Sequence, residues 1–228
     1  MRILGRSGGV AAALLAVAAG AGAAQTTGLP LRNSGIRTGI EIAAELGLAR
    51  VDGATASSDE TSRTLAASLS GGIGPVGARL TVARADRSVA GSDRTSLTGS
   101  AGIRVFGGPL VPLSVNWLGS VTVPLGELDA GSAGSPAERP WRGSLGLGAS
   151  LSIPFPIVAI TPWIGPRVEY YGRQPATGGR VKGAVAAGIE LGFLNGLVLR
   201  ASYDTRVGWE PAADAPASVS FGAGYRFR

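Results

Sequence analysis

Cysteine and histidine are absent from the chain, and lysine occurs only once, as Lys182. Without cysteine the chain has no lipid acylation site, no disulfide and no thiol chemistry, which excludes a lipid-anchored periplasmic protein. Without histidine it lacks histidine-assisted nucleophiles and histidine metal sites, so we expect no enzyme activity, no cofactor and no metal. A mechanism built from carboxylates alone stays open. The near absence of lysine indicates that little of the surface meets water, because solvated surfaces mix Lys and Glu freely.

A long apolar run is also lacking beyond the N-terminus, where the chain begins like an export signal. Arg2 and Arg6 precede an apolar stretch that ends in small residues suited to cleavage. This stretch is shorter than the roughly 20 residues of a membrane helix. Removal of the two arginines from 21 basic residues leaves 19 against 15 acidic ones, and a net charge of +4 gives no reason to expect nucleic acid as a partner. We divide the chain into a signal peptide (1–24), a periplasmic N-terminal linker (25–37) and one domain (38–228).

The dominant pattern after residue 37 is alternation of apolar residues with small or polar ones. In the segment 38–51, Ile40 and Ile42 fall on one face, while Glu41 and Glu45 fall on the other. This period of two is typical of a β-strand with one apolar face. The pattern recurs along the chain and predicts ten strands, near residues 38–51, 62–74, 76–85, 95–106, 113–124, 142–154, 159–171, 183–194, 196–207 and 217–228.

The connections between these strands alternate in length. Short turns rich in Gly, Pro and Asn, such as 74–75 and 194–196, take turns with long polar links, such as 52–61 and 125–141. An even number of strands, with short turns at one rim and longer loops at the other, is typical of a transmembrane barrel with both termini in the periplasm. The predicted fold class is therefore all-β, an antiparallel up-and-down transmembrane β-barrel of about ten strands.

The second face of the strands separates a membrane barrel from a soluble, lipocalin-like one. In residues 144–152 this face carries only Ser and Gly, and small residues fit a crowded lumen better than a water-facing surface. Charges of both signs also fall on it, and in a narrow lumen they must pair or stay hydrated. We predict a lumen charge network that holds the barrel in shape, with a selectivity lining as the alternative. Its members are Glu41, Glu45, Arg79, Arg104, Arg167, Glu169, Glu190, Arg200, Asp204 and Arg226.

Aromatic residues gather near the predicted strand ends, where an aromatic ring of a membrane protein is buried while its polar edge stays wet. This distribution predicts two girdles. The girdle at the rim with the long loops comprises Trp141, Tyr170, Tyr171 and Trp209. The girdle at the rim with the short turns comprises Phe106, Phe155, Trp163, Phe193, Tyr225 and Phe227.

The last nine residues place Ser220 and Gly222 before two aromatics, Tyr225 and Phe227, that flank one residue. This pattern resembles the C-terminal assembly signal of small bacterial outer-membrane β-barrels with eight to ten strands, although that signal usually ends on the aromatic itself. The segment 161–171 also resembles a strand common in these proteins. The resemblance implies a location in the outer membrane, contact with outer-membrane lipid, and barrel-assembly machinery and periplasmic chaperones as partners during biogenesis.

Together these observations favour an integral outer-membrane barrel with a structural or surface-interaction role and no catalysis. The first alternative is a narrow passive pore for ions or small solutes, which single-channel conductance would reveal. The second is a soluble periplasmic ligand-binding barrel, which would stay soluble without detergent. The sequence names no ligand of the loops and no oligomeric state.

Overall fold

The structure is a computed structural model. It describes residues 38–52, 59–87, 94–108, 111–125, 141–172, 181–207 and 217–227. The predicted signal peptide and linker lie outside the described residues. Within the described ranges, no helix is long and apolar enough to cross a bilayer.

The described residues form antiparallel strands throughout. The strands are β1 (Gly39–Asp52), β2 (Asp59–Ile73), β3 (Val76–Arg87), β4 (Arg94–Gly108), β5 (Val111–Leu125), β6 (Arg142–Leu151), β7 (Ile153–Pro154), β8 (Val158–Tyr171), β9 (Val181–Phe193), β10 (Leu197–Val207) and β11 (Ala217–Phe227). The short β7 continues β6 beyond Ser152, and both pair with β8. They therefore act as one strand of the wall, and the ten predicted strands are confirmed. Strand β2 begins before its predicted start because β1 and β2 stay paired up to Asp52 and Asp59.

The sheet closes on itself. With β6 and β7 counted as one strand, each strand pairs with its neighbours in sequence, and β1 pairs with β11. A closed barrel leaves no strand edge open, so every strand finds partners on both sides. The prediction of an all-β, antiparallel up-and-down barrel is confirmed.

The two rims of the barrel differ in the length of their connections. We call the rim with the short connections, which include 74–75, 155–157 and 194–196, the turn end, and the opposite rim the loop end. At the turn end Gly74 and Gly196 have positive φ angles of 59° and 90°, a conformation that glycine adopts without strain. Asn195 accepts a hydrogen bond through its side chain from the N–H of Leu197 at 3.1 Å, which stabilises the last turn.

The barrel is apolar outside and polar inside. Large aliphatic side chains point outward from every part of the wall and remain about half exposed, for example Ile42 at 54% and Leu145 at 57%. Ionised and hydroxyl side chains point inward and are buried, and Glu169 is 0% exposed. Because side chains alternate between the faces of a strand, one register fixes both surfaces at once. This polarity is the reverse of that of a water-soluble protein.

Candidate functional site in the barrel interior

Two groups of charged side chains lie in the barrel interior at different heights. The turn-end cluster consists of Glu41, Glu45, Arg79, Glu190, Arg200 and Arg226. The loop-end cluster consists of Arg167, Glu169, Tyr171, Asp204 and Arg206. Each cluster contains as many arginines as carboxylates.

The turn-end cluster ties the first strand to the last three. Arg200 donates to Glu41 and, through Nε, to Glu190 Oε2 at 3.0 Å. Arg226 donates to Glu41 Oε2 at 2.6 Å and to Glu190 Oε1 at 3.1 Å. Register explains the meeting, since Glu41 lies opposite Arg226 on β11, and Arg200 lies opposite Glu190 on β9.

Arg79 extends the turn-end cluster from β3. Its guanidinium lies 3.7 Å from Glu41 and 3.8 Å from Glu45. Gly222 of β11 lies opposite Glu45, and a Cβ added to Gly222 would lie 2.8 Å from Cγ of that glutamate. The glycine therefore provides the space in which the Glu45 side chain crosses β11.

The loop-end cluster joins β8 to β10. Arg167 donates to Glu169 Oε1 at 2.8 Å and to both Asp204 carboxylate oxygens at 2.8 and 2.9 Å. Arg206 Nε and the Tyr171 hydroxyl donate to Glu169 Oε2 at 3.0 and 2.7 Å. The Arg206 guanidinium also lies 5.9 Å from the centre of the Tyr171 ring, within cation–π range. Five side chains thus hold one another in a single arrangement.

Burial makes these pairs obligatory. The charged side chains of both clusters are nearly inaccessible to water, and a buried ion without a partner is strongly unfavourable. Within each cluster the arginines match the carboxylates in number, and at the loop end buried Lys182 lies opposite Glu169 as a further cation. Their chemistry is that of structural ion pairs: every carboxylate is held by arginine. No group of three or more His, Cys, Asp or Glu residues suited to a metal ion occurs in the part of the chain that the structure describes.

The remaining interior is lined with hydroxyl groups and small residues. Hydroxyl pairs join neighbouring strands at Ser120 and Ser144 (2.7 Å), and at Ser202 and Ser220 (2.6 Å). Around the barrel, each strand except the short β7 contributes inward side chains or glycines that are buried, and Asn116 on β5 is 0% exposed. These inward positions are therefore inaccessible to water.

The structure brings all predicted members of the charge network into the two clusters except Arg104. Register places Ser100, not Arg104, level with Arg79, because these two residues pair across β3 and β4. Arg104 lies four residues nearer the turn end, beside a β-bulge between Arg104 and Phe106. There it lines a cavity with Pro75 and Phe106.

Two predicted girdle residues point inward instead. Trp163 is buried and Tyr171 donates to Glu169, because both lie on the face of β8 that also carries Arg167. Nearness to a strand end does not decide which way a side chain points. Odd and even positions along a strand face opposite sides, and this alternation decides whether a side chain lies inside or outside the barrel. Phe193 is partly exposed, and Trp209 lies outside the described residues. The other predicted girdle residues are exposed on the outside, namely Phe106, Trp141, Phe155, Tyr170, Tyr225 and Phe227.

Sequence reasoning missed two buried cations. Arg206 and Lys182 both face the interior, the first within the loop-end cluster and the second opposite Glu169 on β9. The alternation along the strands predicts both positions. Lys182 shares the inward face of β9 with Glu190, and Arg206 shares the inward face of β10 with Asp204.

The proposed C-terminal signal is divided between the two faces of β11. Ser220 and Gly222 face the interior, whereas Tyr225 and Phe227 face outward with their rings 5.0 Å apart in a T-shaped contact. The inward residues therefore take part in packing the barrel, and the outward pair forms an aromatic patch at the turn end.

A substitution at Gly146 tests the close approach of β6 to the loop-end cluster. A Cβ at this position would lie 2.6 Å from both the Arg167 Cβ and the Pro166 carbonyl oxygen. We expect Gly146→Ala to lower the free energy of unfolding by about 1–3 kcal/mol, the usual effect of overpacking. Urea unfolding of the purified protein in detergent measures it. Gly99→Ala is the control, because nothing lies within 4 Å of its added Cβ, and equal stability of the two variants would contradict the prediction.

Comparisons with known proteins identify the fold. No protein-family model and no curated protein sequence matches the chain. Among solved structures, the β domain of the Bordetella autotransporter BrkA shares 18% identity over 83% of this chain and 98% of that domain, with a TM-score of 0.50. LpxR from Salmonella typhimurium shares 8% identity over 82% of this chain and 100% of its own, with a TM-score of 0.49. An outer membrane channel from Pseudomonas putida F1 shares 12% identity over 89% and 100%, with a TM-score of 0.47.

The similarity to the autotransporter domain shows the fold and nothing of the role, because the sequence identity is low. The chain has the fold of an outer-membrane β-barrel, as the resemblance at its C-terminus implied.

Proposed function

We propose that the protein is an integral outer-membrane barrel with a structural or surface-interaction role and no catalytic function. The observation that carries the proposal is its reversed polarity, with half-exposed aliphatic side chains outside and paired charges inside. Hydrocarbon tolerates such an exterior, and a closed barrel satisfies its backbone hydrogen bonds without water.

The reversed polarity also argues against a soluble ligand-binding barrel. A soluble barrel keeps its apolar face inside, around a ligand, and its charges outside. Here the exposed apolar surface surrounds the wall, whereas soluble monomers rarely expose apolar patches above a few hundred Å². Outer-membrane lipid is therefore the partner that we propose for the outer surface.

A passive pore is less well supported than a closed barrel. In a water-filled pore, hydrated charges line the channel, whereas the charges here bond to one another and are buried. We propose that the clusters brace the wall and that the loops carry any interaction at the surface.

We propose assembly partners on the basis of the terminal strand. The exposed pair of Tyr225 and Phe227 at the turn end supports recognition by barrel-assembly machinery, with periplasmic chaperones keeping the unfolded chain soluble beforehand. This end of the barrel would face the periplasm if the loop end faces outside the cell.

Membrane fractionation tests the proposal. We expect the protein to remain with outer membranes after washing with high salt and with alkaline carbonate, because its apolar wall is embedded in lipid. Unboiled samples should run differently from boiled ones on a denaturing gel, since a closed barrel unfolds slowly. A soluble periplasmic protein from the same cells is the control for washing. Release by carbonate together with a single gel mobility would refute the proposal.

A further inference from the structure

The pairing between β6 and β8 is interrupted in the middle of the wall. Residues 142–146 pair in unbroken register with 171–167, pairing resumes at 149–150 with 164–163, and β7 pairs with 160–159. Four pairs are missing, namely 147 with 166, 148 with 165, 151 with 162, and 152 with 161. The opposite edge of β8 pairs with β9 without a break from Val158 to Tyr170.

Two prolines account for every missing pair. Pro162 and Pro166 have no N–H to donate. In an antiparallel ladder, alternate residues of a strand form their backbone hydrogen bonds with the same neighbouring strand. Pro162 and Pro166 are an even number of residues apart, so both of their backbone nitrogens face the same neighbour. Because the β8–β9 ladder is intact, the two lost donors face β6. Each loss removes the pair at the proline and the adjacent pair, which depends on the same bond.

The seam is held at its two rims. At the loop end, Gly172 donates its N–H to the Trp141 carbonyl at 2.9 Å, and the rings of Trp141 and Tyr170 lie 5.4 Å apart. At the turn end, Phe155 donates to the Val158 carbonyl at 2.9 Å. The hydrogen-bonded ion pairs of Arg167 and Glu169 described above join β8 to β10, and at the loop-end rim Arg142 of β6 also attracts Glu169 across the seam.

We propose that β6 and β8 form a lateral gate, a seam at which the wall parts at mid-height while both rims stay closed. On the inner side of this seam Gly148 of β6 and Gly165 of β8 carry no side chain, and the Trp163 ring lies against Gly188 of β9, so parting the strands disrupts little side-chain packing between them. The direction of opening, from the interior toward lipid, rests on the proposed membrane location. The parting of the strands does not.

Hydrogen exchange of the purified barrel in detergent micelles tests the gate wherever the protein resides in the cell. We expect the amides of Leu147, Ala149 and Leu151, which face β8 by parity, to exchange at least about tenfold faster than those of Ala184 and Ala186 on its other edge. These amides keep carbonyl acceptors on β8, and the bond missing at each proline is the one that the carbonyl of Leu147 or Leu151 would accept. Opening this edge therefore breaks fewer bonds than opening the β9 edge, and a deficit of one bond gives a difference of this size. Equal protection on the two edges would overturn the proposal.

The variant Pro162→Val with Pro166→Val restores both donors with a residue that favours strands. Exchange at the three β6 amides should then slow to the rate on the β9 edge. Faster exchange that persists would show that the prolines are not its cause and would also count against the gate.

A disulfide lock provides the second arm, since the natural chain has no cysteine. Ala149→Cys with Ile164→Cys joins an existing pair across the seam, and Ile164→Cys with Ala187→Cys joins the same residue of β8 to β9. Oxidation of the first pair should slow exchange at Leu147 and Leu151, whereas oxidation of the second should not. Equal slowing by both locks would mean that the barrel breathes as a whole and has no gate.

Discussion

Arg167→Met is expected to lower the free energy of unfolding by about 3–5 kcal/mol, the usual result of removing one partner from a buried ion pair. Arg167 is the shared donor to Glu169 and Asp204, and all three side chains are inaccessible to water. Methionine fills a similar length but leaves two carboxylates close together with Arg206 as the remaining cation of the cluster. Urea unfolding in detergent or lipid vesicles, followed by tryptophan fluorescence, measures the change.

Two further variants separate the loss of charge pairing from a general effect of substitution. Arg84 is exposed on the outside of β3, so Arg84→Met should change stability by less than about 1 kcal/mol. Asp204→Asn removes one of the stranded carboxylates, and the double variant with Arg167→Met should therefore be more stable than the sum of the two single effects predicts. Strict additivity would mean that the 2.8 Å contact between Arg167 and Asp204 contributes nothing.

Removal of two arginines from the turn-end cluster should open the barrel to ions. We expect the natural protein to show little or no steady conductance in planar bilayers, because many of its inward side chains are buried and its charges are paired. Arg200→Ser with Arg226→Ser deletes two long side chains and leaves Glu41 and Glu190 without their nearest cations. The double variant should conduct, and its current should favour cations over anions, since the remaining charge is negative.

Single-channel recording with a salt gradient measures both conductance and selectivity. Arg63→Ser with Arg84→Ser, on the outer face of β2 and β3, removes the same number of charges without touching the interior and should stay silent. The mobility of unboiled samples checks that each variant still forms a barrel. A steady, sizeable conductance of the natural protein would overturn the closed interior and promote the pore to the leading function.

The strands were predictable because each one carries its own signal. In β1 the alternation of Ile40, Glu41 and Ile42 requires no knowledge of any other strand, and the same holds for β8 and β10. Alternate positions of a strand face the same side, so Glu41, Arg167 and Asp204 each fall on the polar, inward face of their own strand. The inward face of the barrel could therefore be derived from residues a few positions apart.

The contacts between charges could not be derived in this way, because they depend on the stagger between strands. A shift of one pair along β3 and β4 changes which residue lies level with Arg79, and the sequence alone does not fix that shift. Arg104 was placed in the network for this reason, although Ser100 occupies the level of Arg79. Trp163 and Tyr171 lie near strand ends, but they share the inward face of β8 with Arg167, and alternation along the strand decides their direction.

The bonds that Glu41 makes also affect the order of events during folding. Glu41 bonds to Arg200, 159 residues away, and to Arg226, 185 residues away, so neither bond can form until the two ends of the chain meet. Contacts of such long range are among the last to appear, which makes barrel formation slow. Bonds that are absent from the transition state leave the folding rate nearly unchanged but slow the reverse reaction. We therefore expect the turn-end cluster to slow the unfolding of the closed barrel and to leave the rate of its formation nearly unchanged.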